Sequence, residues 1–300
     1  MFDLITVGHF AVDTIVSPKI KLPRITIGGP PTYVSVAAVK QGAKVSVVSK
    51  VGNDFPNEYF EWLKKRCVDL AGLKRVSNAS TTRFILEYEK GHRKMRLEAR
   101  APPILATDIS NSLQSTIVHV APIINEVSSE VVKKLRKSAK ILSLDPQGFL
   151  RSFDEKGNVH LKRWLEPEML AQIDVFKSTL EEIRIMTCIK DLKTAMKHIG
   201  DYGVGIVIVT RGVRGSTLFL RNHYYGVPAC KQEFVADPTG AGDAYIGAFL
   251  AEYGQDKNAV WCACVGSAAA SFVVEGVGAE KFGERHEVYE RARKIYEKIA

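Results

Sequence analysis

Cysteine is scarce in this chain of 300 residues, and its placement suits neither a metal site nor a disulfide framework. The number is odd, and the five positions are Cys67, Cys188, Cys230, Cys262 and Cys264. None of their spacings is typical of a zinc ligand set or of a small secreted domain. We therefore expect a reducing compartment, the cytoplasm.

A long hydrophobic run is also missing. The longest apolar stretch covers residues 259–274, which is too short to span a bilayer and is interrupted by Gly266. It predicts a buried helix. The first eight residues read as a strand containing Asp3, and not as a secretory signal. We expect no membrane partner.

Concentrated basic tracts are absent, although the chain carries a formal net charge of +9. Such a charge favours anionic partners, and nucleic acid is the obvious one. The 42 lysines and arginines are, however, spread along the chain without interleaved aromatic residues. No G-x-x-x-x-G-K-[ST] motif occurs either, which argues against a P-loop enzyme. We predict no nucleic-acid partner.

Short β-branched runs alternate with amphipathic stretches along the chain. Strands are predicted at residues 3–7, 44–50, 117–120, 140–144, 174–177 and 206–210, and helices at 32–41, 57–65, 128–137, 179–186, 192–199, 242–252, 258–274 and 285–299. This alternation predicts an α/β fold with a mostly parallel sheet covered on both faces. Segments 13–27 and 82–98, the second with a turn at Gly91, alternate polar and apolar residues, which suits a small sheet with one solvent face.

The run Asp237-Pro238-Thr239-Gly240-Ala241-Gly242-Asp243 precedes the apolar stretch 244–250. A glycine turn that opens a helix gathers backbone N–H groups at the positive end of that helix, which favours an anion. The carboxylate of Asp243 in the first helical turn can take a proton from a hydroxyl that attacks a phosphoryl group. The plainer interpretation is an acid-capped helix with no chemistry. Asp237 is expected to organise the loop or a nearby cation.

The same run resembles the C-terminal signature of the ribokinase-like (PfkB) carbohydrate kinases. A second block, residues 28–45 with Val51-Gly52-Asn53-Asp54-Phe55, is similar to the N-terminal signature of that family. The resemblance implies one kinase domain over residues 1–300, a three-layer α/β/α fold with a mostly parallel central sheet, and a small β-lid made by the segments 13–27 and 82–98. The alternative for these two segments is an edge hairpin with no part in closure.

The resemblance also implies a phosphoryl-donor site. Gly240, Ala241 and Gly242 correspond to the anion hole and Asp243 to the base. Residues 177–182 resemble the Asn-x-x-Glu element, with Ser178 in place of Asn and Glu181 near Mg²⁺ through water; the plainer interpretation makes Ser178 an N-cap and Glu181 its capping-box partner. Residues 210–216 are similar to the T-x-G-x-x-G nucleotide loop. The implied nucleotide contacts are Lys177, Ser178, Thr210, Arg211, Gly212, Gly215, Thr239, Gly240, Gly242 and, beside the adenine, Ala269.

The acceptor side is best represented by Asp13 and the turn at Gly28 and Gly29. A carboxylate accepts hydrogen bonds from two adjacent hydroxyls, and a glycine pair lets a polyol approach the backbone. Tyr33 stands where the ribokinases commonly have Asn, which disfavours a pentose. Segments 121–127 and 145–151 look like those of the inositol-kinase branch. The full set of expected substrate contacts is Asp13, Gly28, Gly29, Thr32, Tyr33, Asn53, Asn125, Gln147 and Asp243.

Three functions remain open at this point. The first is an ATP- and Mg²⁺-dependent kinase for a small sugar or cyclitol, with myo-inositol as the leading acceptor and a monovalent cation as a further candidate cofactor. The second is a kinase for a nucleoside or for a sugar acid such as 2-keto-3-deoxygluconate: Tyr33 or Phe84 could stack on a base, and Arg93, Arg96 or Arg100 could hold a carboxylate. The third is a non-catalytic nucleotide-binding relative. The lid is a candidate homodimer interface.

Overall fold

The strands and helices follow one another in the alternation that the sequence predicts. The computed structural model describes residues 1–18, 21–89, 92–232 and 234–299. The strands are β1 (Phe2–Val7), β2 (Ala11–Val16), β3 (Arg24–Gly28), β4 (Val45–Gly52), β5 (Val68–Asp69), β6 (Leu73–Val76), β7 (Thr82–Glu89), β8 (His92–Ala99), β9 (Ser115–Val120), β10 (Ala139–Leu144), β11 (Arg151–Phe153), β12 (Val159–Leu161), β13 (Val175–Thr179), β14 (Ile206–Thr210), β15 (Ser216–Leu220) and β16 (His223–Val227).

The helices are α1 (Pro30–Lys40), α2 (Asn57–Lys65), α3 (Ser129–Arg136), α4 (Pro167–Leu170), α5 (Leu180–Thr187), α6 (Leu192–Gly200), α7 (Ala241–Tyr253), α8 (Ala259–Val273) and α9 (Arg285–Tyr296). Each predicted strand and helix is confirmed within a few residues. The sequence did not reveal the short strands β5, β6, β11 and β12, the antiparallel pair β15 and β16, or α4. The helix α1 begins two residues earlier than predicted, because proline is well suited to a first helical position.

The described residues form a central sheet of ten strands. Its order is β16-β15-β14-β13-β10-β9-β1-β4-β5, with β6 also paired to β4. The strands from β14 to β5 run parallel, and only β15 and β16 are antiparallel. Alternate residues of one strand face opposite layers, as in β14: Ile206 and Ile208 pack with α7 and α8, while Val207 and Val209 pack with α5 and α6. The α/β/α fold is therefore confirmed.

A separate sheet of four strands, called the lid below, has the order β3-β2-β7-β8. Phe84 and Leu86 on β7 pack with Ile123 and Ile124 of the core. The other face is open to solvent and leaves Ile25 64% exposed. The one-sided pattern of segments 13–27 and 82–98 is thus confirmed, and the turn at Gly91 lies outside the described residues.

The helix α8 is buried as predicted, and α7 is mostly buried as well. The helix α8 coincides with the longest apolar stretch of the chain and lies in the core beside α7. Among the described residues, no helix is both long and apolar enough to cross a membrane.

Candidate active site

Residues 237–240, the catalytic loop, are held in shape by the buried carboxylate of Asp237. Its Oδ1 accepts hydrogen bonds from the backbone N–H (2.9 Å) and the hydroxyl (2.7 Å) of Thr239, and its Oδ2 accepts one from the N–H of Gly278 at 2.9 Å. Because Thr239 donates to Asp237, the hydroxyl of Tyr88 on the lid donates to Thr239 Oγ1, 2.7 Å away. Asp237 is therefore a loop organiser, as the sequence suggested, and Thr239 joins the loop to the lid.

Gly240 ends the catalytic loop and caps α7. Its φ of 76° lies in the left-handed region, and a Cβ at this position would lie 2.2 Å from the ring of Tyr33. Only glycine therefore fits both the conformation and the space. Ala241 and Gly242 begin α7. The N–H of Ala241 donates to the carbonyl of Pro238 at 3.3 Å, and the first turn presents the positive N-terminal end of the helix, where an anion is favoured.

Asp243 lies in the first turn of α7, directly after Ala241 and Gly242. Burial raises its pKa to about 6; the charge of Asp145 adds to that effect, whereas Lys177, Arg151 and Arg93 oppose it. Gln147 donates a hydrogen bond from Nε2 to Asp243 Oδ1 at 3.4 Å. A carboxylate with a pKa near neutral, next to hydrogen-bond donors suited to phosphate, has the properties of a general base.

Lys177, within β13, and Asp145, directly after the neighbouring strand β10, form a buried ion pair. The Nζ–Oδ2 distance is 2.5 Å. Burial opposes the charge on Lys177, but Asp145, Asp243 and Glu182 outweigh it and raise the lysine's pKa. A Cβ on Gly242 would lie 2.9 Å from Lys177 Nζ, so this ammonium group lies against the first turn of α7. A phosphate bound there would meet a fixed positive charge.

The start of α5 corrects one prediction. Thr179, and not Ser178, is the N-cap, and Glu182, and not Glu181, completes the capping box, with Glu182 Oε2 accepting the N–H of Thr179 at 2.7 Å. The Ser178 hydroxyl is buried without a hydrogen-bond partner among the described residues, away from the cleft. Strand geometry explains this, since Lys177 and Thr179 share one face of β13 and Ser178 points to the other. Glu181 is exposed and lines the cleft.

A cleft of about 800 Å³ extends from Asp243 towards α8. The predicted nucleotide loop lines it through Thr210, Arg211, Gly212 and Gly215. Its far wall is made by residues of α8 and of the segment after β16: Ala229, Cys230, Val235, Ser267, Ala270 and Ser271. The prediction for Ala269 is wrong, because the phase of α8 turns this residue into the core and Ala270 to the cleft.

Asp13 and Gly28 lie side by side on the paired strands β2 and β3. A Cβ on Gly28 would lie 1.8 Å from Asp13 Oδ2, so the carboxylate rests directly on the glycine backbone. Burial raises the pKa of Asp13 to about 7, against the lowering effect of Arg93 and Arg151, and the charges of Asp237 and Asp243 raise it further. Asp13 thus lies close to Asp243.

Several predicted acceptor contacts are engaged elsewhere or lie outside this cluster. The Thr32 hydroxyl donates to the carbonyl of Gly28 at 2.7 Å. Asn53 and Asn125 are exposed, and Asn125 occupies a turn with a φ of 66°. Within the described chain, none of the three lines the cleft.

Of the aromatic residues and arginines predicted to bind a base or a carboxylate, only Arg93 lines the cleft in the described part of the chain. Tyr33 and Phe84 are 1% and 3% exposed, packed in the core, which leaves no ring face for a base. Arg93 lines the cleft, whereas Arg96 pairs with Glu98 and Arg100 lies over the ring of Phe153. Gly29 closes the turn before α1 with a φ of 80°.

Sequence reasoning missed four residues of this site: Asp145, Arg151, Glu182 and Tyr88. Asp145 and Arg151 stand in the segment that follows β10, and their position after a strand end was the available signal. Nothing local marks Tyr88, whose contact to Thr239 spans 151 residues.

Comparison with known proteins agrees with this geometry. The profile of the pfkB family carbohydrate kinases matches residues 2–284. The chain is 27% identical to a cytidine kinase of Thermococcus kodakarensis, covering 93% of this chain and 98% of that protein, and 29% identical to a nucleoside kinase of Methanothermobacter thermautotrophicus, covering 93% and 91%. It is 25% identical to an inositol 3-kinase of Arabidopsis thaliana over 93% and 76% of the two chains.

Solved structures give the same fold. A pyrophosphate-dependent kinase of the ribokinase family, complexed with a pyrophosphate analog and myo-inositol, superposes with a TM-score of 0.82 at 21% identity, over 96% of this chain and 99% of the other. The Methanocaldococcus jannaschii nucleoside kinase gives 0.78 at 24% identity, over 97% and 98%. At these identities the likeness shows the fold.

Proposed function

We propose that this chain, which belongs to the pfkB family of carbohydrate kinases, transfers the γ-phosphoryl group of ATP to a hydroxyl of a ring polyol. Membership makes it a phosphotransferase with an alcohol acceptor. The observation that carries the proposal is the position of Asp243. Its carboxylate lies in the first turn of α7, lines the donor cleft, and is close enough to Asp13 for its charge to raise the pKa of that carboxyl group.

The residues of the site divide the reaction between them. The Asp243 carboxylate takes the proton of the acceptor hydroxyl as that oxygen attacks the γ-phosphorus, and the bond from the γ-phosphorus to the β–γ bridging oxygen breaks, so that ADP leaves. The amides of Ala241 and Gly242 and the ammonium of Lys177 stabilise the negative charge on the transferred group. Thr210, Arg211, Gly212 and Gly215 hold the rest of the nucleotide.

Mg²⁺ would screen the charge of the triphosphate, and the residues present fit such an ion. Glu181 and Glu182 line the cleft in the first turn of α5. Glu182 is occupied by its capping box, whereas Glu181 is exposed and can accept hydrogen bonds from metal-bound water. Mg²⁺ keeps most of its water shell in proteins, so an outer-sphere contact of this kind suffices.

For the acceptor, myo-inositol is the leading candidate. The acceptor side presents Asp13 and Gln147, groups that hydrogen-bond hydroxyls, and the rings of Tyr33 and Phe84 are buried. A buried carboxylate that loses its hydroxyl partners is costly, so such a site discriminates against analogues that lack them.

A ribonucleoside is the second candidate, and the named activities of the relatives favour it. The cytidine kinase and the nucleoside kinase both match over nine-tenths of this chain. Because Tyr33 and Phe84 offer no free ring face, a base would have to be recognised by hydrogen bonds to the lid or to the cleft wall.

An acceptor panel separates these possibilities. Purified protein, ATP and MgCl₂ are incubated with myo-inositol, cytidine, ribose, fructose or 2-keto-3-deoxygluconate, and acceptor-dependent ADP formation is measured. We expect kcat/KM for myo-inositol to exceed that for ribose by at least about tenfold, or about 1.4 kcal/mol. A higher value for cytidine would select the second candidate.

Asp243→Asn tests whether the carboxylate of Asp243 takes the proton of the acceptor hydroxyl. The amide preserves shape but cannot take a proton, so we expect kcat to fall by on the order of 10² or more while ATP affinity changes only a few-fold. Equal turnover by this variant would refute the role of Asp243 as the base, whereas no turnover of any acceptor by the wild type would refute the kinase proposal.

A further inference from the structure

Two segments that the sequence singled out, residues 121–127 after β9 and 145–151 after β10, meet beside the base. The first is shaped by Glu126, a carboxylate only 3% exposed. Its oxygens accept the backbone N–H groups of His9 at 2.9 Å, Ile123 at 2.9 Å and Ile124 at 2.8 Å. This arrangement fixes the backbone of the first segment.

The second segment packs tightly on the first at Gly148. A Cβ on Gly148 would lie 2.4 Å from the carbonyl carbon of Pro122 and 2.6 Å from the nitrogen of Ile123. The two loops therefore approach at backbone distance. The carbonyl of Ile123 then lies within reach of the Arg151 side chain, 3.1 Å from Nη1.

Arg151 is a buried cation whose hydrogen bonds go to uncharged partners. It is 8% exposed, and its second nitrogen, Nη2, donates to Gln147 Oε1 at 2.7 Å. In the described part of the chain no carboxylate lies within ion-pair distance of it. A buried guanidinium held without an ion pair is costly to keep, which points to a role for its charge and geometry in the site.

The Gln147 amide is oriented by this contact. A guanidinium group only donates hydrogen bonds, so the amide must turn its oxygen to Arg151. The Nε2 of the amide then faces Asp243 Oδ1, 3.4 Å away. Hydrogen bonds and positive charge directed at a carboxylate favour its ionised form.

We propose that Arg151 is a positioning residue that fixes the Gln147 amide, so that Asp243 is aimed at the acceptor and kept ionised near neutral pH. The inference rests on the proposed function for the role of Asp243 as base. Titratable groups that act on Asp243 come from several elements and are Lys177 on β13, Asp145 after β10, Arg93 on β8, Arg151 on β11, Asp13 on β2 and Tyr33 on α1. Of these, Arg151 alone also holds the amide that donates to Asp243.

The test is the pH dependence of kcat/KM in Arg151→Met, measured from pH 5 to 9 with the best acceptor of the panel. Asp243 acts as a base only when ionised, so raising its pKa moves the acidic limb of the profile to higher pH. We expect an upward shift of about one unit from a pKa of about 6, which gives about fivefold lower activity at pH 6, about ninefold at pH 5 and less than threefold at pH 8.5. Arg100→Met is the matched control, since that guanidinium lies over Phe153, next to the same strand β11.

Two further variants separate the positioning of the Gln147 amide by Arg151 from the effects of the charge and packing of Arg151. Gln147→Leu should shift the limb in the same direction, and the double variant should shift it no further than the larger single shift, because both changes break one relay. Arg151→Lys keeps the charge, so the acidic limb of its pH profile should lie between those of wild type and Arg151→Met. A uniform loss at every pH, or additive shifts in the double variant, would overturn the inference.

A readout without catalysis keeps the two proposals distinguishable. The Asp243 carboxyl carbon, assigned by its absence from the spectrum of Asp243→Asn, is titrated by ¹³C NMR in wild type and in Gln147→Leu, which leaves Arg151 in place. A higher pKa in the variant supports the relay whether or not an acceptor is found. An unchanged pKa refutes it even if the wild type is an active kinase.

Discussion

Asp13 is expected to lower the stability of the folded protein while serving its activity, so Asp13→Asn should be more stable and less active. The carboxyl group titrates at 3.8 when free and at about 7 in the folded protein, where burial disfavours its charge. Three pKa units, at about 1.4 kcal/mol each, correspond to about 4 kcal/mol. Asparagine has nearly the same shape and no charge to bury.

The sign of the pH dependence follows from this shift. The folded state binds the Asp13 proton more tightly than the unfolded state does, so this contribution to stability is fully present below pH 3.8 and is lost as the pH rises through 7. The free energy of unfolding of Asp13→Asn minus that of wild type should therefore grow between about pH 4 and 7 and level off above.

Urea unfolding of both proteins at intervals from pH 4.5 to 8.5 measures this difference. Any hydrogen bond altered by the substitution adds a constant, so the slope is the diagnostic quantity. A difference independent of pH would refute the reasoning. Asp154→Asn is the control of opposite sign: hydrogen bonds from Asn158 lower the pKa of Asp154 to about 2, so that variant should be less stable at neutral pH with a flat difference above pH 5.

The activity of Asp13→Asn is measured on the same preparations. A carboxylate accepts two hydroxyl hydrogen bonds, whereas an amide offers one oxygen and a donor. We expect kcat/KM for the preferred acceptor to fall about tenfold or more, with ATP affinity unchanged. Retained activity would remove Asp13 from the acceptor site.

Three other substitutions test the loop and the lid. Gly242→Val places a side chain against Lys177 at the start of α7 and should lower kcat more than it weakens acceptor binding, as measured by initial-rate kinetics. Unchanged kinetics in a folded variant would mean that the amides at the start of α7 do not contact the phosphoryl group. Gly240→Ala forces a Cβ into the ring of Tyr33 at a positive φ and should lower the free energy of unfolding by about 2 kcal/mol or more in urea titrations; a loss below about 0.5 kcal/mol would contradict the clash. Tyr88→Phe removes the hydroxyl that joins the lid to the catalytic loop and should raise KM for the acceptor, whereas a wild-type KM would show that this contact does not contribute to binding.

The loop of residues 237–240 and the first turn of α7 could be predicted from the sequence because their interactions are local. Asp237 bonds Thr239 two residues away, and Asp243 lies in the first turn of the helix that Gly240 caps. Strands such as β14 could be predicted equally well, since an apolar β-branched run is typical of a buried parallel strand. In each case the decisive hydrogen bonds or the decisive periodicity lie within a few residues of one another.

The rest of the site depends on which strand ends lie next to each other. Lys177 meets Asp145 because β13 pairs with β10, and Gln147 meets Asp243 across 96 residues. The phase of an element also decides single positions: one residue of rotation separates Ala270 in the cleft from Ala269 in the core. Sequence patterns fix local hydrogen bonds and which face of an element is apolar, whereas the order of strands and the packing of loops set the distances between remote charged groups.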